Sequence, residues 1–538
     1  MTRLDYHGMR VLVLGLGESG LSMARHLALR GAVLSCADSR LAPPAAGAIA
    51  AIAPGAAVHL GPFADAIFDG IDRVAISPGV PLYGPQTDPA VARARARGLF
   101  FDGDIELFAQ ALATEKAESG YAPRVLAITG TNGKTTVTSL LAHLGHAAGV
   151  ATCAAGNIGP AALDAWRDAK AAQAGGKALP ALWVLELSSF QLETTASLQC
   201  DAAVVLNITE DHLDRHGDMD AYARAKARIF DGAAVQVLNR DDARVMAMKK
   251  PFVPKRRRDV APLVATFGAG APAGPNDFGL VRESRPGGLT WLAVGGAEES
   301  VPQRLMPVDA LRLAGTHNAV NVLAALALAS VARLPRAPLL KALPRYGGLP
   351  HRVQRIAEVG GVTWIDDSKG TNVGATQAAL AGMGAALAPG QRIVLIAGGE
   401  GKGQDFTPLA AAVARHARAV LLIGRDAAQL RAALADCRVA LEDCGDLGQA
   451  VMRAARLAQP GDCVLLSPAC ASFDMFRDYA QRAQVFADAV RSLARPSAVV
   501  LAPTPDARSA APVAPPSSPK VPPRAAMVAA AAFGGSDV

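Results

Sequence analysis

The stretch GTNGKTT (130–136) has the residue types and spacing of a phosphate-binding loop. It follows the strand-like run RVLAIT (124–129) and leads into a helical pattern at Val137–His143. In that setting the amides of Gly130, Thr131, Asn132 and Gly133 aim at phosphate oxygens, and the positive end of the helix adds to their pull. Lys134 would neutralise charge on a phosphoryl group in transfer, and Thr135, followed by Thr136, would bring a hydroxyl to magnesium. The usual loop needs a glycine five positions before Gly133, where this chain has Ile128, so the loop is a shortened form.

A metal-bound nucleotide requires carboxylate or imidazole ligands at the carboxyl ends of neighbouring strands. The apolar run Ala181–Leu185 ends in Glu186, and Ala202–Leu206 ends in NITEDH (207–212). Glu186 and His212 are the candidate ligands. Lys226 poses a separate question. Within Met219–Phe230 it shares one helical face with Met219, Tyr222, Ile229 and Phe230, whereas Arg224 and Arg228 lie opposite. An ammonium facing inward beside a dication is disfavoured. Either its stem snorkels outward, which the spacing alone favours, or its nitrogen is chemically converted to an anion.

The elements that must hold these residues alternate between strand-length apolar runs and helical patterns from residue 9 to about 495. That alternation predicts α/β layers with parallel sheets. The first unit is Met9–Gly15, the turn GLGESG and a helix at Leu21–Leu29. Later runs include VTWID (362–366), Arg392–Ala397, Ala419–Ile423 and Asp462–Leu466. Seams are expected at Glu115–Pro123 and Gly347–Pro350, and a loop insertion at Ala169–Pro180. Residues 498–538, rich in proline and alanine, read as a disordered tail.

Composition sets the bounds. With 538 residues, 51% apolar and 19% charged, the chain can fill several cores and does not read as a disordered protein. No apolar stretch is long enough to span a bilayer, and no secretory signal is apparent. Seven cysteines without a CxxC pair fit reduced thiols in the cytoplasm. The net charge of +7 traces to one cluster, Lys249–Arg258, without which basic and acidic residues nearly balance. The cluster reads as a solvated loop, and nucleic-acid binding is not expected.

The ordered set of motifs resembles the Mur ligase family, in its D-glutamate-adding branch. The matching stretches are GLGESG (15–20), SPG (77–79), GDIELF (103–108), ITGTNGKTT (128–136), GNIG (156–159) and LELSSFQLE (185–193). They continue with NITEDHLDRH (207–216), GTHNAVNVLAA (315–325), GLPHRVQ (348–354), DDSKGTN (366–372), AGGEGKGQDF (397–406) and LLSPACASFDMF (465–476). The resemblance implies three α/β domains: a Rossmann-like N-terminal domain (1–117), a central P-loop ATP-binding domain (118–348) and a Rossmann-like C-terminal domain (349–497). It implies ATP-dependent joining of D-glutamate to UDP-N-acetylmuramoyl-L-alanine through an acyl phosphate, by a cytoplasmic monomer in peptidoglycan synthesis.

By the same resemblance, Lys134, His212 and Lys226 are catalytic, and Thr135, Glu186, His212 and a carbamylated Lys226 hold two magnesium ions. That modification reverses the snorkelling preference. Asn318, Asn321, Arg352 and Asp367 join the phosphate loop in binding ATP. Glu18, Ser19, Asp38, Ser39, Arg40, Ser77, Gly79 and Asn157 fall at the positions for the UDP-linked substrate, with the backbone of Glu18 facing the diphosphate. Lys369, Thr371, Lys402, Ser472, Phe473 and Tyr479 fall at the D-glutamate positions, Ser472 at the expected start of the last helix. Tyr479 stands where the family pattern has phenylalanine, and packing is the alternative role for Phe473 and Tyr479.

Three rival readings are distinguishable. Other Mur ligases or folylpolyglutamate synthetases share the chemistry, but the Asp-Asn-Pro-Arg signature of the diaminopimelate-adding relatives is missing. A nicotinamide-dependent dehydrogenase would use GLGESG with Asp38, 18 residues past Gly20, on the ribose. That reading leaves Lys134, Glu186, His212 and Lys226 without a role. A nucleotide-driven switch would have no use for the pair Lys369 and Lys402.

Overall fold

The computed structural model describes residues 4–250, 263–285, 287–296, 301–313, 315–385 and 387–493. The 498–538 tail and all of the basic cluster beyond Lys250 lie outside these residues. Three sheets organise the chain. The first has five parallel strands in the order Ala57–Leu60, Val33–Asp38, Arg10–Leu14, Arg73–Ile76, Phe100–Asp102. Its first crossover is the helix Glu18–Leu29, entered through a turn that demands glycine: a Cβ at Gly20 would sit 1.9 Å from the Gly15 carbonyl oxygen.

The central sheet carries the phosphate loop. Seven of its strands form a parallel block, in the order Asp277–Arg282, Leu263–Phe267, Ala233–Asn239, Cys200–Val205, Arg124–Thr129, Leu182–Glu186, Thr152–Gly156. Arg124–Thr129 lies inside this block and is buried on both faces, which is why it reads as a continuous apolar run. The helices Lys134–Ala147 and Thr316–Val331 pack against each other and cover one face. The third sheet orders Gln354–Val359, Val362–Asp366, Cys463–Leu466, Ile393–Gly398, Ala417–Ile423 and Ala440–Asp443.

The structure departs from the sequence expectations in identifiable ways. The sheets are not wholly parallel: Asp277–Arg282, Thr290–Val294 and Gln303–Pro307 extend the central sheet, the last two pairings antiparallel, and Gln354–Val359 pairs antiparallel with its neighbour. The hairpin at 282–290 turns on Gly287, at φ 70°, the local chemistry that closes such a loop. The expected insertion at Ala169–Pro180 is half helix, because the alanine-rich AKAAQA (169–174) extends Ala162–Ala174. The expected seam at Glu115–Pro123 narrows, since a helix runs unbroken over Asp104–Ser119 and stops at Gly120 in the left-handed region. All seven cysteines are unpaired, and no helix of the described residues is long and apolar enough to cross a membrane.

The motif GDIELF acts at the join between the first two sheets. Asp104 accepts from Gln191 Nε2 at 2.8 Å, and Glu106 Oε2 accepts from the amides of Ala196 and Ser197 at 2.7 and 2.8 Å. Phe108, fully buried, meets Trp183 edge-on with ring centroids 5.0 Å apart. One apolar cluster therefore runs from Val11 and Leu16 in the first sheet to Leu185 and Val205 in the second. Phe108→Ala is expected to cost about 3–5 kcal/mol in chemical denaturation. A loss below about 1 kcal/mol would contradict the shared core.

Candidate active site

The phosphate loop is fixed from both sides. Gly130 has φ 146° and a Cβ there would lie 2.9 Å from Leu206 Cβ; a Cβ at Gly133, φ 84°, would lie 2.6 Å from Asn321 Oδ1. Asn132 N donates to Asn207 Oδ1 at 2.8 Å, and Asn207 Nδ2 donates to the Asn132 carbonyl at 3.1 Å. Lys134 Nζ bends back to donate to the carbonyls of Gly130 and Thr131 at 2.9 and 2.8 Å. Lys226 Nζ donates to the same Gly130 carbonyl at 2.9 Å and to Thr129 Oγ1 at 3.4 Å.

Lys226 does not snorkel. It is 2% exposed, and its nitrogen lies 4.7 Å from the centre of the Tyr222 ring. Nine residues of α-helix followed by a turn of 3-10 helix put Lys226 on the face that also buries Tyr222 and Ile229, as the spacing implies. Burial, with the nearby Lys134 ammonium, holds its pKa well below the ordinary lysine range. Burial lowers Lys134 as well, against the pull of Glu186 and Asp211.

Glu186 ends its strand 1% exposed, with Oε1 accepting from Asn157 Nδ2 at 2.7 Å. Its Oε2 is buried and has no hydrogen-bond partner. A buried, unpaired carboxylate oxygen beside a phosphate loop has the donor chemistry of a magnesium ligand. No cluster of three or more carboxylate, imidazole or thiol groups that could hold a metal exists among the described residues. The arrangement suits magnesium shared with phosphates, not an all-protein cage. His212 caps Leu213–His216 in a left-handed conformation, φ 55°, with its ring 5.0 Å from that of Phe190. Burial lowers its pKa, partly opposed by Asp211, whose Oδ2 is 3.7 Å from Nε2.

The third sheet closes the site. Three adjacent strands, Val362–Asp366, Ile393–Gly398 and Cys463–Leu466, present loops from their carboxyl ends, the usual ligand edge of an α/β sheet. Buried Arg482 ties two of these loops by donating to Ser368 Oγ and O and to the carbonyls of Cys470 and Ala471. The third is joined through Glu400 and Ala471, which exchange backbone hydrogen bonds at 3.0 and 2.8 Å. Lys369 Nζ lies 3.7 Å from the centre of the Tyr479 ring, and Lys402 Nζ lies 3.8 Å from Asp211 Oδ1 across the cleft. Arg352 donates to Thr135 Oγ1 at 2.8 Å. A cavity of about 330 Å³ lies between the sheets and is lined by Asn132, Thr136, Asn318, Asn321, Arg352, Asp367 and Lys369.

In the first sheet, Asp38 accepts from Leu16 N at 2.6 Å and from Arg40 Nε and Nη2 at 2.8 and 2.7 Å. Burial raises its carboxyl, but the Arg40 and backbone hydrogen bonds outweigh it and bring the pKa down to about 2. Its two oxygens are thus engaged by protein, unlike an aspartate open to a ribose diol. Ser77 Oγ donates to the Gly15 carbonyl at 2.7 Å, while Glu18, Ser39, Arg40 and Gly79 are exposed and Ser19 is half-buried.

Comparisons with known proteins agree with this geometry. Three family models match in order: Mur ligase MurD-like, N-terminal domain over 9–99, Mur ligase middle domain over 128–329, and Mur ligase, glutamate ligase domain over 351–470. The chain belongs to the Mur ligase family. Its relatives include the UDP-N-acetylmuramoylalanine–D-glutamate ligases of Thiobacillus denitrificans, 52% identical over 92% of this chain and 99% of the relative, and of Ralstonia nicotianae, 52% identical over 91% and 98%. The fold is similar to that of UDP-N-acetylmuramate-alanine ligase MurC from Thermotoga maritima, TM-score 0.53 at 17% identity, covering 90% of this chain and all of that one. MurF from Acinetobacter baumannii gives TM-score 0.52 at 18% identity, covering 77% and 90%.

Within this Mur ligase chain, the structure corrects two sequence expectations. The last helix starts at Tyr479, so Ser472, 3% exposed, lies in a turn seven residues before it; Asp478, which accepts from Gln481 N at 2.8 Å, marks the entry instead. Phe473 is 70% exposed, which excludes a packing role in the described chain. Sequence reasoning passed over Asp211, Asn207, Arg215, His317 and Asn372. Asp211 adjoins His212 in a recognised motif, so its charge could have been flagged. Arg215 donates to the carbonyls of Pro78 and Val80 at 3.4 Å each and to Glu193 Oε2 at 3.1 Å, fastening SPG (77–79) to the helix beside His212.

Asp367 generates a stability prediction. Burial pushes its carboxyl up from the ordinary 3.8 to about 7, against hydrogen bonds from Ser467 and Val353. Because the folded value exceeds the unfolded one, the contribution to stability is complete below pH 3.8 and is lost as pH rises through about 7. In denaturant titrations of ligand-free protein, the wild type should lose about 1–3 kcal/mol relative to Asp367→Asn between about pH 4 and pH 8. Parallel curves would contradict a raised Asp367.

Proposed function

We propose that this chain joins D-glutamate to UDP-N-acetylmuramoyl-L-alanine at the expense of ATP, through an acyl phosphate. Residues 1–117 present the UDP-linked substrate, 118–348 bind ATP, and 349–497 bring the amino acid. The observation that carries the reading is the meeting, in one cleft, of the phosphate loop with Arg352, Lys369 and Lys402 from the third sheet. The identity to D-glutamate ligases over nearly the whole chain supports the choice of amino acid.

The chemistry needs that charge. A carboxylate attacking a γ-phosphate brings two anions together, and unit charges at about 4 Å repel by roughly 4 kcal/mol at an effective dielectric of about 20. Lys134 releases the Gly130 and Thr131 carbonyls and turns to the phosphate oxygens. Arg352 leaves Thr135 Oγ1 for the phosphates, freeing that oxygen. Glu186, oriented by Asn157, and Thr135 would hold one magnesium ion; His212 and a carbamylated Lys226 would hold a second. When bound, the metal supplies Lewis-acid neutralisation of phosphate charge.

Burial and the neighbouring Lys134 charge shift Lys226 toward its neutral amine, the form whose lone pair adds to carbon dioxide, after which the adduct sheds a proton. The product is an anion where an ammonium is unfavourable. Asn318 and Asn321 face the base of the nucleotide. Lys369, Thr371, Lys402 and Ser472 hold the two carboxylates of D-glutamate, with Phe473 and Tyr479 alongside, and its amine attacks the acyl phosphate with loss of phosphate. Ser39, Arg40, Ser19, Ser77, Gly79 and the backbone of Glu18 hold the UDP end, with Asp38 fixing Arg40 and the Leu16 amide beside them. The enzyme works as a cytoplasmic monomer.

ADP release should require both UDP-N-acetylmuramoyl-L-alanine and D-glutamate; release indifferent to D-glutamate, or satisfied by L-alanine or diaminopimelate, would overturn the assignment. Lys226→Ala should lower kcat at least about a hundredfold, with partial recovery in added short carboxylates. Full activity in that variant would remove the carbamate.

A further inference from the structure

The phosphate loop and the loop after Val362–Asp366 belong to different sheets, yet they touch through two asparagines. Asn372 Nδ2 donates to Asn132 Oδ1 at 3.1 Å, and Asn132 Nδ2 donates back to Asn372 Oδ1 at 3.2 Å. Asn372 Nδ2 also donates to Asp211 Oδ2 at 3.2 Å, and Asn372 Oδ1 accepts from Ala375 N at 2.9 Å. These partners fix the amide's orientation, since its oxygen meets a backbone N–H and its nitrogen meets a carboxylate. Asn372 is 4% exposed. The approach is close enough that a Cβ on Gly374 would fall 2.8 Å from Thr209 Oγ1 and 3.3 Å from Asn132 Nδ2.

Asn372 therefore caps the helix Val373–Gly384 and crosses the cleft at the same time. On its own side it follows Thr371. Across the cleft it reaches the loop that carries Lys134 and the carboxylate that faces Lys402. We infer that Asn372 is a positioning residue that couples the amino-acid site to the nucleotide site. Phosphates that order Asn132 favour the docked position of Asn372, and docking carries Thr371 and Lys402 to the cleft. By reciprocity the amino acid then strengthens nucleotide binding by the same factor. The inference rests on the proposed function for the identity of the amino acid, but not for the docking itself.

Two substitutions separate the cap from the crossing. Asn372→Ser keeps an oxygen for Ala375 N and removes the amide donor. Asn372→Asp keeps the cap and the size but sets an anion against Asp211. In the wild type, a non-hydrolysable ATP analogue with magnesium should tighten D-glutamate binding roughly tenfold in calorimetry and keep the chain compact in small-angle X-ray scattering. In Asn372→Ser the coupling should fall to within about twofold of none, with an unchanged Tm and unchanged D-glutamate affinity without nucleotide. Asn372→Asp should be the most open of the three.

Wild-type coupling and compaction in Asn372→Ser would overturn the inference. So would a wild type whose compactness and amino-acid affinity both ignore the nucleotide. Loss of nucleotide-dependent compaction in Asn372→Ser, in a chain that does not bind D-glutamate, would leave the docking role standing and remove the substrate assignment.

Discussion

Two lysine nitrogens, those of half-buried Lys134 and buried Lys226, share one acceptor, the carbonyl oxygen of Gly130. Burial pulls both lysines below their ordinary range, and for Lys226 the neighbouring Lys134 charge adds to it. A protein keeps such a pair only when something offsets it. Glu186 and Asp211 do so in part, and the unpaired oxygen of Glu186 and the lysines turned in on the loop describe a site whose balance is completed by anions and a cation from outside. The fold serves this pair. Strand ends place Thr129 and Glu186, and glycines at 130 and 133 let the loop press against Leu206 and Asn321.

Much of this was legible in the chain itself. The phosphate loop is announced by local residues, so the strand–turn–helix setting of GTNGKTT reads without any tertiary knowledge. The inward placement of Lys226 follows from helical spacing, but its fate does not. Snorkelling depends on whether solvent lies within reach of the stem, and here Thr129, Gly130 and Tyr222 surround the nitrogen. The antiparallel extension of the central sheet escaped notice because its short strands lie between turns and lack the helix that marks a parallel crossover. Ser472 was misplaced because SPACASF reads like a helix entry, whereas Asp478 supplies the cap.

The residues that sequence reasoning passed over share a physical character. Asn372, Asn207 and Arg215 act by bridging segments distant in sequence, and a bridge leaves no local pattern. Asn132 and Asn372 are separated by 240 positions and meet only because two sheets present their carboxyl edges to each other. Polar residues of this kind are ordinary in any loop until a partner is known.

The three sheets are not joined alike. A continuous apolar cluster unites the first two, through Phe108 and Trp183, while the clusters of the third sheet draw on residues from Val353 onward alone. The third sheet meets the second through asparagines, Arg352, Lys402 and a cavity of about 330 Å³, and the chain passes between them at His351 and Val353, both in the left-handed region at φ 62° and 46°. Water can replace polar partners at little loss, but it cannot replace an apolar seam. The first two sheets are therefore held by a seam that solvent cannot substitute, and the third by contacts that it can.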